Sequence, residues 1–567
     1  MKLFNKGTHR QICVLLFLAS FVFASITRAD DLYDSFKNPP AAARPVVHWD
    51  WPAKLPADKE IIKQLETFKN SGFGGVEITP AEITLTAAKS LKFAADEAKK
   101  RDMLVDLVLP WPPTAPSLQP DECAKTISLD KKFLKGPIQF HTDINDLNSK
   151  LKTQNSKLMF LRLIPLDQKQ FDPGDEFINK IQPNGDADFN IPDGNYVFYT
   201  GILNFTRRSD REGGQQSAID PLNKRAVEKY FNNLSAALAP AFGGNLGDTL
   251  HAISFDLVIA SDLSSVAIAK GEAKQSQFLA GANWTSDFEQ EFVKRRGYDL
   301  IACLPVILDD DIADDKTYFY QTVRRTRYDF YKTLAELLNE RFLTAFNDFC
   351  RGNGVLARLE LPENPLSPGF SDANLPFDIP QSKIAHNPQA WNLIASSAAH
   401  FADKPLTCCR FSDDPCFFEN QQDSFRIHDL AFVSGINQFI CTERNSGPKS
   451  RIDRNARLSA VFRNSQLNLN PVVKISPANP NLFFINYFTS DRDIFFFTNV
   501  DRTSSLSFNA QFETGDKIPW LWDPETGNRN LFHYGSSKNS LDIEFDPLDS
   551  VLLVFEPDMS DKNVVEK

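Results

Sequence analysis

The sequence has little of what several common classes of protein need. Only 8 of its 567 residues are histidines, and none stands in an HExxH or similarly paired spacing, so no zinc-hydrolase motif is present. Its 8 cysteines are scattered without a CxxC spacing, which argues against a zinc ribbon and a disulfide framework. Internal repeats and low-complexity tracts are also absent. What remains is a large globular chain whose 48 phenylalanines can fill a substantial core.

Positive charge and long apolar runs are scarce as well. The net charge is −11 and no basic patch is evident, which argues against nucleic acid as a partner. After the first residues, no apolar stretch approaches the length of a membrane span. Residues 1–29 have the order of a secretory signal peptide, with basic Lys2, Lys6 and Arg10 before an apolar run at 12–25 and small residues near Ala29. We therefore expect a secreted or periplasmic protein.

Short apolar runs alternate with helical patterns through most of the chain. This alternation predicts βαβ units and a parallel sheet, and eight strands closed into a (β/α)8 TIM-type barrel are the most economical arrangement. The eighth strand lacks a clear apolar run, and we expect it between 258 and 310. The seven recognisable strands lie at 46–51, 74–78, 104–109, 252–256, 355–361, 405–410 and 436–441.

Two regions break the alternation. One lacks a helical period and is predicted to be a small β-rich insertion. In the other, helices disappear and period-2 strands between turn signals predict a C-terminal β-sandwich. The expected organisation is a signal peptide at 1–29, the first part of the barrel at 30–127, the insertion at 128–205, the remainder of the barrel at 206–475, the sandwich at 476–558 and a tail at 559–567.

Glu360 is the first candidate for a catalytic residue. It ends a short apolar strand, and barrel enzymes carry their chemistry at the carboxyl ends of strands. Arg410 stands at the end of a later strand, where a second carboxylate is expected. One interpretation is an ion pair between Arg410 and Glu360. Another is that Glu443, after the following strand, supplies the second carboxylate that glycoside hydrolysis requires.

A series of motifs runs through nearly the whole mature chain and carries a family resemblance. The segments are residues 44–51, 69–76 (KNSGFGGV), 93–107 (FAADEAKKRDMLVDL), 219–222 (IDPL), 283–285 (NWT) with 294–299 (KRRGYD), 397–406 (SAAHFADKPL), 435–439 (GINQF) and 521–527 (LWDPETG). In this order they resemble glycoside hydrolase family 106, the α-L-rhamnosidases. The resemblance implies a TIM-type barrel with attached β-domains and a carbohydrate ligand.

The resemblance also implies roles, and the chain departs from the family at several of them. Of the family's two catalytic carboxylates, Glu360 matches the first, whereas Arg410 occupies the second position. Asp256 keeps only the first acid of a two-acid motif. Relatives also use a calcium ion, for which carboxylates near strand ends, among them Glu77 and Asp106, are candidate ligands. The candidate sugar-binding residues are Trp49, Asp50, Trp111, Asp256, Trp284 and Arg410.

We therefore predict a secreted protein of the α-L-rhamnosidase type that acts on or binds plant or microbial glycans. If it is an enzyme, Glu360 and Glu443 are the predicted catalytic pair. The alternative is a non-catalytic carbohydrate-binding pseudoenzyme that has lost its second catalytic carboxylate at Arg410.

Overall fold

A computed structural model describes residues 31–111, 113–143, 156–166, 174–177, 186–205, 207–209, 215–255, 282–309, 320–360, 377–383, 388–411, 421–442, 448–470 and 473–558. The chain divides into two compact units. The first comprises Val46–Glu419 and Ser434–Asn445, and the second comprises Met1–Pro45, Asn420–Val433 and Ser446–Lys567.

The first unit contains a closed barrel of eight strands, each parallel to its neighbours. The strands follow one another round the barrel in chain order, and the last pairs with the first through Val46 opposite Ile440. The predicted fold class is therefore confirmed. The strands are Val46–Trp51 (β1), Gly75–Pro80 (β2), Leu104–Leu109 (β3), Ala252–Phe255 (β4), Leu356–Glu360 (β5), Ile379–Lys383 (β6), Cys408–Arg410 (β7) and Gln438–Cys441 (β8).

The strand that the sequence did not reveal is β6, and the expectation that it lies between 258 and 310 is wrong. The described part of that interval holds two helices and the strand Ala282–Trp284, which belongs to another sheet. Strand β6 reads Ile-Pro-Gln-Ser-Lys, and Ile379 is its only large apolar residue. A strand of this composition has no apolar run for a pattern search to find.

Helices cover the outside of the barrel because each buries one apolar stripe. In the first of them, Ile61, Leu65 and Phe68 recur at helical spacing and are buried. The helices of this unit are Asp58–Asn70, Leu85–Lys100, Lys224–Phe242, Phe288–Arg296, Leu300–Leu308, Tyr320–Leu338, Thr344–Gly352 and Pro388–Phe401, with a π-helical turn at Asn339–Leu343.

Alternate residues of each strand face the barrel axis, which separates the interior into layers. Near the amino ends of the strands the inward side chains form an apolar cluster of Val46, Ala252, Ile379, Cys408 and Ile440. Two residues further along most of the strands, the inward side chains are polar. We call these residues the polar layer, and they are His48, Glu77, Asp106, Ser254, Arg358, Gln381 and Arg410.

An antiparallel sheet interrupts the barrel between β3 and β4. Its two longest strands, Lys125–Asp143 and Asp186–Phe205, pair along most of their length. The sheet begins before the predicted boundary at 128 and also includes a strand far beyond 205. Its other strands are Ser156–Pro165, Asp175–Glu176 and Ala282–Trp284, and a separate two-stranded sheet pairs Arg207–Ser209 with Gln215–Ser217.

The second unit is built on two β-sheets that share one apolar core. Phe495 and Phe497 of one sheet contact Phe512 of the other, with ring centroids 4.8 and 6.2 Å apart. The first strand starts at Gln466, before the predicted boundary at 476. The sheets contain Gln466–Leu467, Leu482–Phe488, Asp493–Asn499, Ile518–Trp522, Arg529–Leu531 and Ser550–Glu556, and Val473–Ser476, Leu506–Phe512 and Ser540–Phe545. Helices Asp31–Lys37, Gln421–Val433 and Lys449–Arg463 complete the unit.

Across the described ranges of both units, no helix has the length and apolar character needed to cross a membrane.

Candidate active site

Glu360 lies at the carboxyl end of β5 and points into the barrel mouth. The register of the neighbouring strands places Glu360 beside Gln381 of β6, and Lys383 of β6 beside Arg410 of β7. Parallel strands in a barrel end on one face, so residues from three successive strands converge there. Only 6% of the Glu360 side chain is exposed.

Cationic and amide groups surround the Glu360 carboxylate. Arg410 Nε lies 2.9 Å from Glu360 Oε2, and Gln381 Nε2 donates a hydrogen bond to the same oxygen. On the other side, Lys383 Nζ lies 3.7 Å from Oε1. These contacts stabilise the ionised form of the carboxylate, since a charged acceptor forms stronger hydrogen bonds than a neutral one.

Arg410 connects this carboxylate to the polar layer. Its Nη2 donates to Glu77 Oε1 at 2.7 Å, so one guanidinium group joins two carboxylates. Arg358, which is fully buried, donates to both Glu77 and Asp106 and reaches Ser254 Oγ at 3.1 Å. The barrel interior is therefore an extended ion-pair network.

Two histidines complete the network at its edges. His48 Nδ1 lies 2.7 Å from Glu77 Oε2, and His251 Nδ1 lies 2.9 Å from Asp106 Oδ1. Burial lowers the pKa of His48, but the hydrogen bond with Glu77 outweighs it, so the pKa is raised above its ordinary value. His48 therefore keeps its positive charge beside Glu77 to a higher pH than a free histidine does.

The two buried carboxylates of the network are held ionised. Burial raises the pKa of Glu77, but Arg410 and Arg358 outweigh burial and leave the pKa below its ordinary value. Burial likewise raises the pKa of Asp106, and Arg358 with His251 lowers it overall to about 2. A general acid must carry a proton at the working pH, so neither residue fits that role.

The tryptophans of β1 and of the inserted sheet do not line the mouth. Trp49 lies on the outer face of β1, where its ring packs at 5.6 Å against Phe68 of the covering helix. Trp284 is 4% exposed and packs at 5.1 Å against Phe288. Both rings are used in packing, and sugar binding by these two residues stays a prediction.

Trp111 and Asp50 lie at the carboxyl end of the barrel. Trp111 follows β3 and stacks on Phe255 at 5.6 Å while its ring meets Phe342 edge-on. Asp50 points inward from the end of β1 with 62% of its side chain exposed, 3.4 Å from His48 Nε2. Sugar binding by these residues stays a prediction. Asp256 and Glu443, the other two predicted site residues, lie outside the described residues.

Sequence analysis missed several residues of the network. Arg358 had a visible signal, since a charged residue in the middle of a short apolar strand must face either a buried partner or the barrel axis. Gln381 and Lys383 had none, because β6 itself was not recognised. The Arg410 guanidinium contacts two carboxylates and so positions Glu360, while its predicted contact with substrate stays a prediction.

The described residues do not fit the calcium ion that the resemblance implies. Calcium takes six to eight oxygen ligands, and the carboxylates of Glu77 and Asp106 already face Arg358, Arg410 and the two histidines. Among the described residues, no group of three or more acidic, histidine or cysteine side chains is arranged to hold a metal ion.

Comparison with known proteins agrees with this architecture. Residues 176–451 match the model of glycoside hydrolase family 106, described as alpha-L-rhamnosidase. The chain is a relative of this family. The fold is that of a rhamnosidase from Novosphingobium sp. PP1Y, with a TM-score of 0.62 and 14% identity over 93% of this chain and 83% of that one.

A second similarity is more limited. A curated protein of Formosa agariphila named "Putative beta-glucuronidase" is 22% identical in an alignment of 405 residues that covers 61% of this chain and 32% of that protein. The chain therefore spans about a third of the length of this relative. Arg410 stands where the sequence analysis expected a second carboxylate, and in the structure it contacts Glu360 and Glu77.

Proposed function

We propose that this protein binds a rhamnose-containing plant or microbial glycan at the barrel mouth without hydrolysing it by the two-carboxylate route. The observation that carries the proposal is the ion pair between Arg410 Nε and Glu360 Oε2 at 2.9 Å. It supports the pseudoenzyme alternative of the sequence analysis over the hydrolase.

Glycoside hydrolysis depends on the transfer of a proton to the leaving group. Glycoside hydrolysis needs one carboxylic acid to protonate the leaving group and one carboxylate to attack or to activate water. Glu360, held between Arg410 and Lys383, is stabilised as the anion, which is unsuited to proton donation. Both of its carboxylate oxygens contact a cation, so attack on a substrate or activation of water would require one of these contacts to break. Arg410 cannot replace the missing carboxylate because a guanidinium stays protonated at every working pH.

The same mouth retains what sugar binding needs. Asp50 is well exposed, and 35% of the Lys383 side chain is exposed beside Glu360. Carboxylate oxygens and an ammonium group accept from and donate to sugar hydroxyls, and these contacts require no proton transfer. Trp111, on the same end of the barrel, adds an aromatic surface. The glycan class rests on the match to the rhamnosidase family model.

The proposed setting is outside the cytoplasm, on the strength of the signal-peptide pattern in residues 1–29. Amino-terminal sequencing of the protein from its native host should find a mature chain that starts near Asp30. A full-length chain in the cytosol would contradict this part of the proposal.

Calorimetry with methyl α-L-rhamnoside, combined with a hydrolysis assay on an aryl α-L-rhamnoside, tests the proposal. The wild type should bind and show no turnover. Arg410→Glu, which restores the second carboxylate, should gain slow hydrolysis, whereas the matched control Arg410→Gln should gain none. Circular dichroism would check that both variants fold, since each loses a contact with Glu77.

The competing enzyme hypothesis makes the opposite prediction. If Glu443 supplies the second carboxylate, the wild type hydrolyses a glycoside, and Glu360→Gln and Glu443→Gln each reduce kcat by about 100-fold or more. That result would overturn the binding proposal.

A further inference from the structure

A recess lies at the carboxyl end of the barrel, and its lining includes neither Glu360 nor Arg410. Its volume is about 570 Å³, within the range typical of small-molecule sites. The loops after β2 and β3 form two of its walls, and the helix Lys224–Phe242 forms the third. We call it the rim cleft, defined by Ile83, Thr114, Pro116, Leu118, Tyr230 and Asn233.

The wall that follows β3 is anchored from two sides. The Ile219 N–H donates to the Pro113 carbonyl at 2.8 Å. Further along the loop, Lys229 Nζ donates to the Ser117 carbonyl at 3.1 Å and to Glu122 Oε2 at 2.7 Å. These bonds hold Ser117 at a φ of 56°, in the left-handed region that non-glycine residues rarely adopt. The cleft is therefore formed before any ligand arrives, which reduces the entropy that binding must overcome.

The lining of the rim cleft is mixed in polarity and almost uncharged. Ile83, Pro116 and Leu118 are apolar, while Thr114 and Asn233 provide hydroxyl and amide groups. Glu82 is the only charged residue among the described lining residues, and it is acidic, which disfavours an anionic ligand.

Asn233 supplies a second observation that points to a polar ligand. Its Nδ2 is shut off from solvent and has no hydrogen-bond partner in the described part of the chain. Buried amide groups in proteins are nearly always hydrogen-bonded. Because Asn233 lines the cleft, a rotation of its side chain toward a ligand hydroxyl would pair an amide that is otherwise left unpaired. A neutral molecule with apolar faces and several hydroxyl groups matches this lining, and a sugar ring is such a molecule.

We propose that the rim cleft binds a neutral sugar residue of the same glycan whose terminal residue occupies the barrel mouth. This inference rests on the proposed function, because it extends the mouth to a second site on the same end of the barrel. It assigns to Thr114 and Asn233 the recognition of hydroxyl groups on the inner sugar.

Titration calorimetry with two probes tests the inference: methyl α-L-rhamnoside, which reaches only the mouth, and the disaccharide rutinose, a rhamnosyl-glucose. The wild type should bind rutinose more tightly. Asn233→Ala should weaken rutinose binding by about three- to tenfold, the worth of one hydrogen bond, and leave methyl rhamnoside unchanged. Ala115→Trp, which fills the cleft from a surface loop, should reduce the affinity for rutinose to that for methyl rhamnoside.

Asn232→Ala is the matched control, because Asn232 is the exposed neighbour of Asn233 on the same helix. This variant should bind both probes as tightly as the wild type does. If the wild type and all three variants bind rutinose with equal affinity and still bind methyl rhamnoside, the proposed sugar site in the rim cleft is wrong. The proposed site in the barrel mouth would then still stand. If neither probe binds the wild type, both the proposed sugar site in the rim cleft and the proposed function are wrong.

Discussion

Replacing Arg358 by methionine removes a cation that contacts both buried carboxylates of the polar layer. Arg358 has no exposed surface and donates to Glu77 and Asp106. After the replacement, Glu77 still has Arg410 and His48 within 2.7 Å. Asp106 retains His251 at 2.9 Å. The loss of folding stability caused by Arg358→Met should therefore arise mainly at Asp106.

The magnitude follows from the pKa of Asp106, which Arg358 and His251 lower from 3.8 to about 2 against the effect of burial. A carboxyl with a depressed pKa in the folded state stabilises the protein above its unfolded pKa, and the contribution is lost as pH falls through the folded value. A shift of this size corresponds to about 2–3 kcal/mol at neutral pH. Leaving the buried charge without its main partner brings the expected loss to about 3–5 kcal/mol.

Hydrogen exchange measured by mass spectrometry on peptides from β3 and β5 reports the opening of the barrel directly. Arg358→Met should speed exchange there strongly at neutral pH, and Arg358→Met with Asp106→Asn should recover part of the loss because the uncompensated charge is gone. Arg351→Met, on the exposed end of the helix before β5, should change stability by less than about 0.5 kcal/mol. A loss below about 1 kcal/mol for Arg358→Met would refute the reasoning.

Two further predictions concern other parts of the first unit. Burial raises the pKa of Asp220 to about 7, so the folded chain keeps a proton that the unfolded chain releases, and stability should fall as pH rises from about 4 to about 7. Asp220→Asn, which keeps the acceptor for the Leu222 N–H, should remove this decline in denaturant titrations; an unchanged pH dependence would contradict it. A Cβ on Gly247 would lie 1.8 Å from the Gly354 carbonyl oxygen, so Gly247→Ala should lose about 2 kcal/mol or more in thermal melts. A Cβ on Gly352 would have nothing within 4 Å, so Gly352→Ala should hardly change the melting temperature. Equal effects of the two substitutions would contradict the predicted clash at Gly247.

The parts of the fold that sequence predicted are those with a strong apolar period. Most of the seven recognised barrel strands carry runs of apolar residues, and the helices between them repeat such residues at helical spacing. Strand β6 was not predicted because its place in the barrel is set by pairing with β5 and β7, and this pairing is not visible in the amino-acid composition of the strand.

The site was predictable in part for a related reason. Glu360 was identified because it ends a predicted barrel strand, and its expected ion pair with Arg410 is present. The outward direction of Trp49 also follows from the alternation of side chains along β1, because His48 and Asp50 share the inner face. The contacts of Arg358 with Glu77 and Asp106 join strands far apart in sequence, and only the closed barrel brings them together.

A proton NMR time course of the wild-type protein with an aryl α-L-rhamnoside tests the central claim most directly, because one sample reports both binding and cleavage. The account predicts saturation transfer from the protein to the intact glycoside and no anomeric signals of free rhamnose beyond those of a protein-free control. Free rhamnose that accumulates with the wild type, and no longer does so with Glu360→Gln, would contradict the claim that Arg410 has removed Glu360 from catalysis.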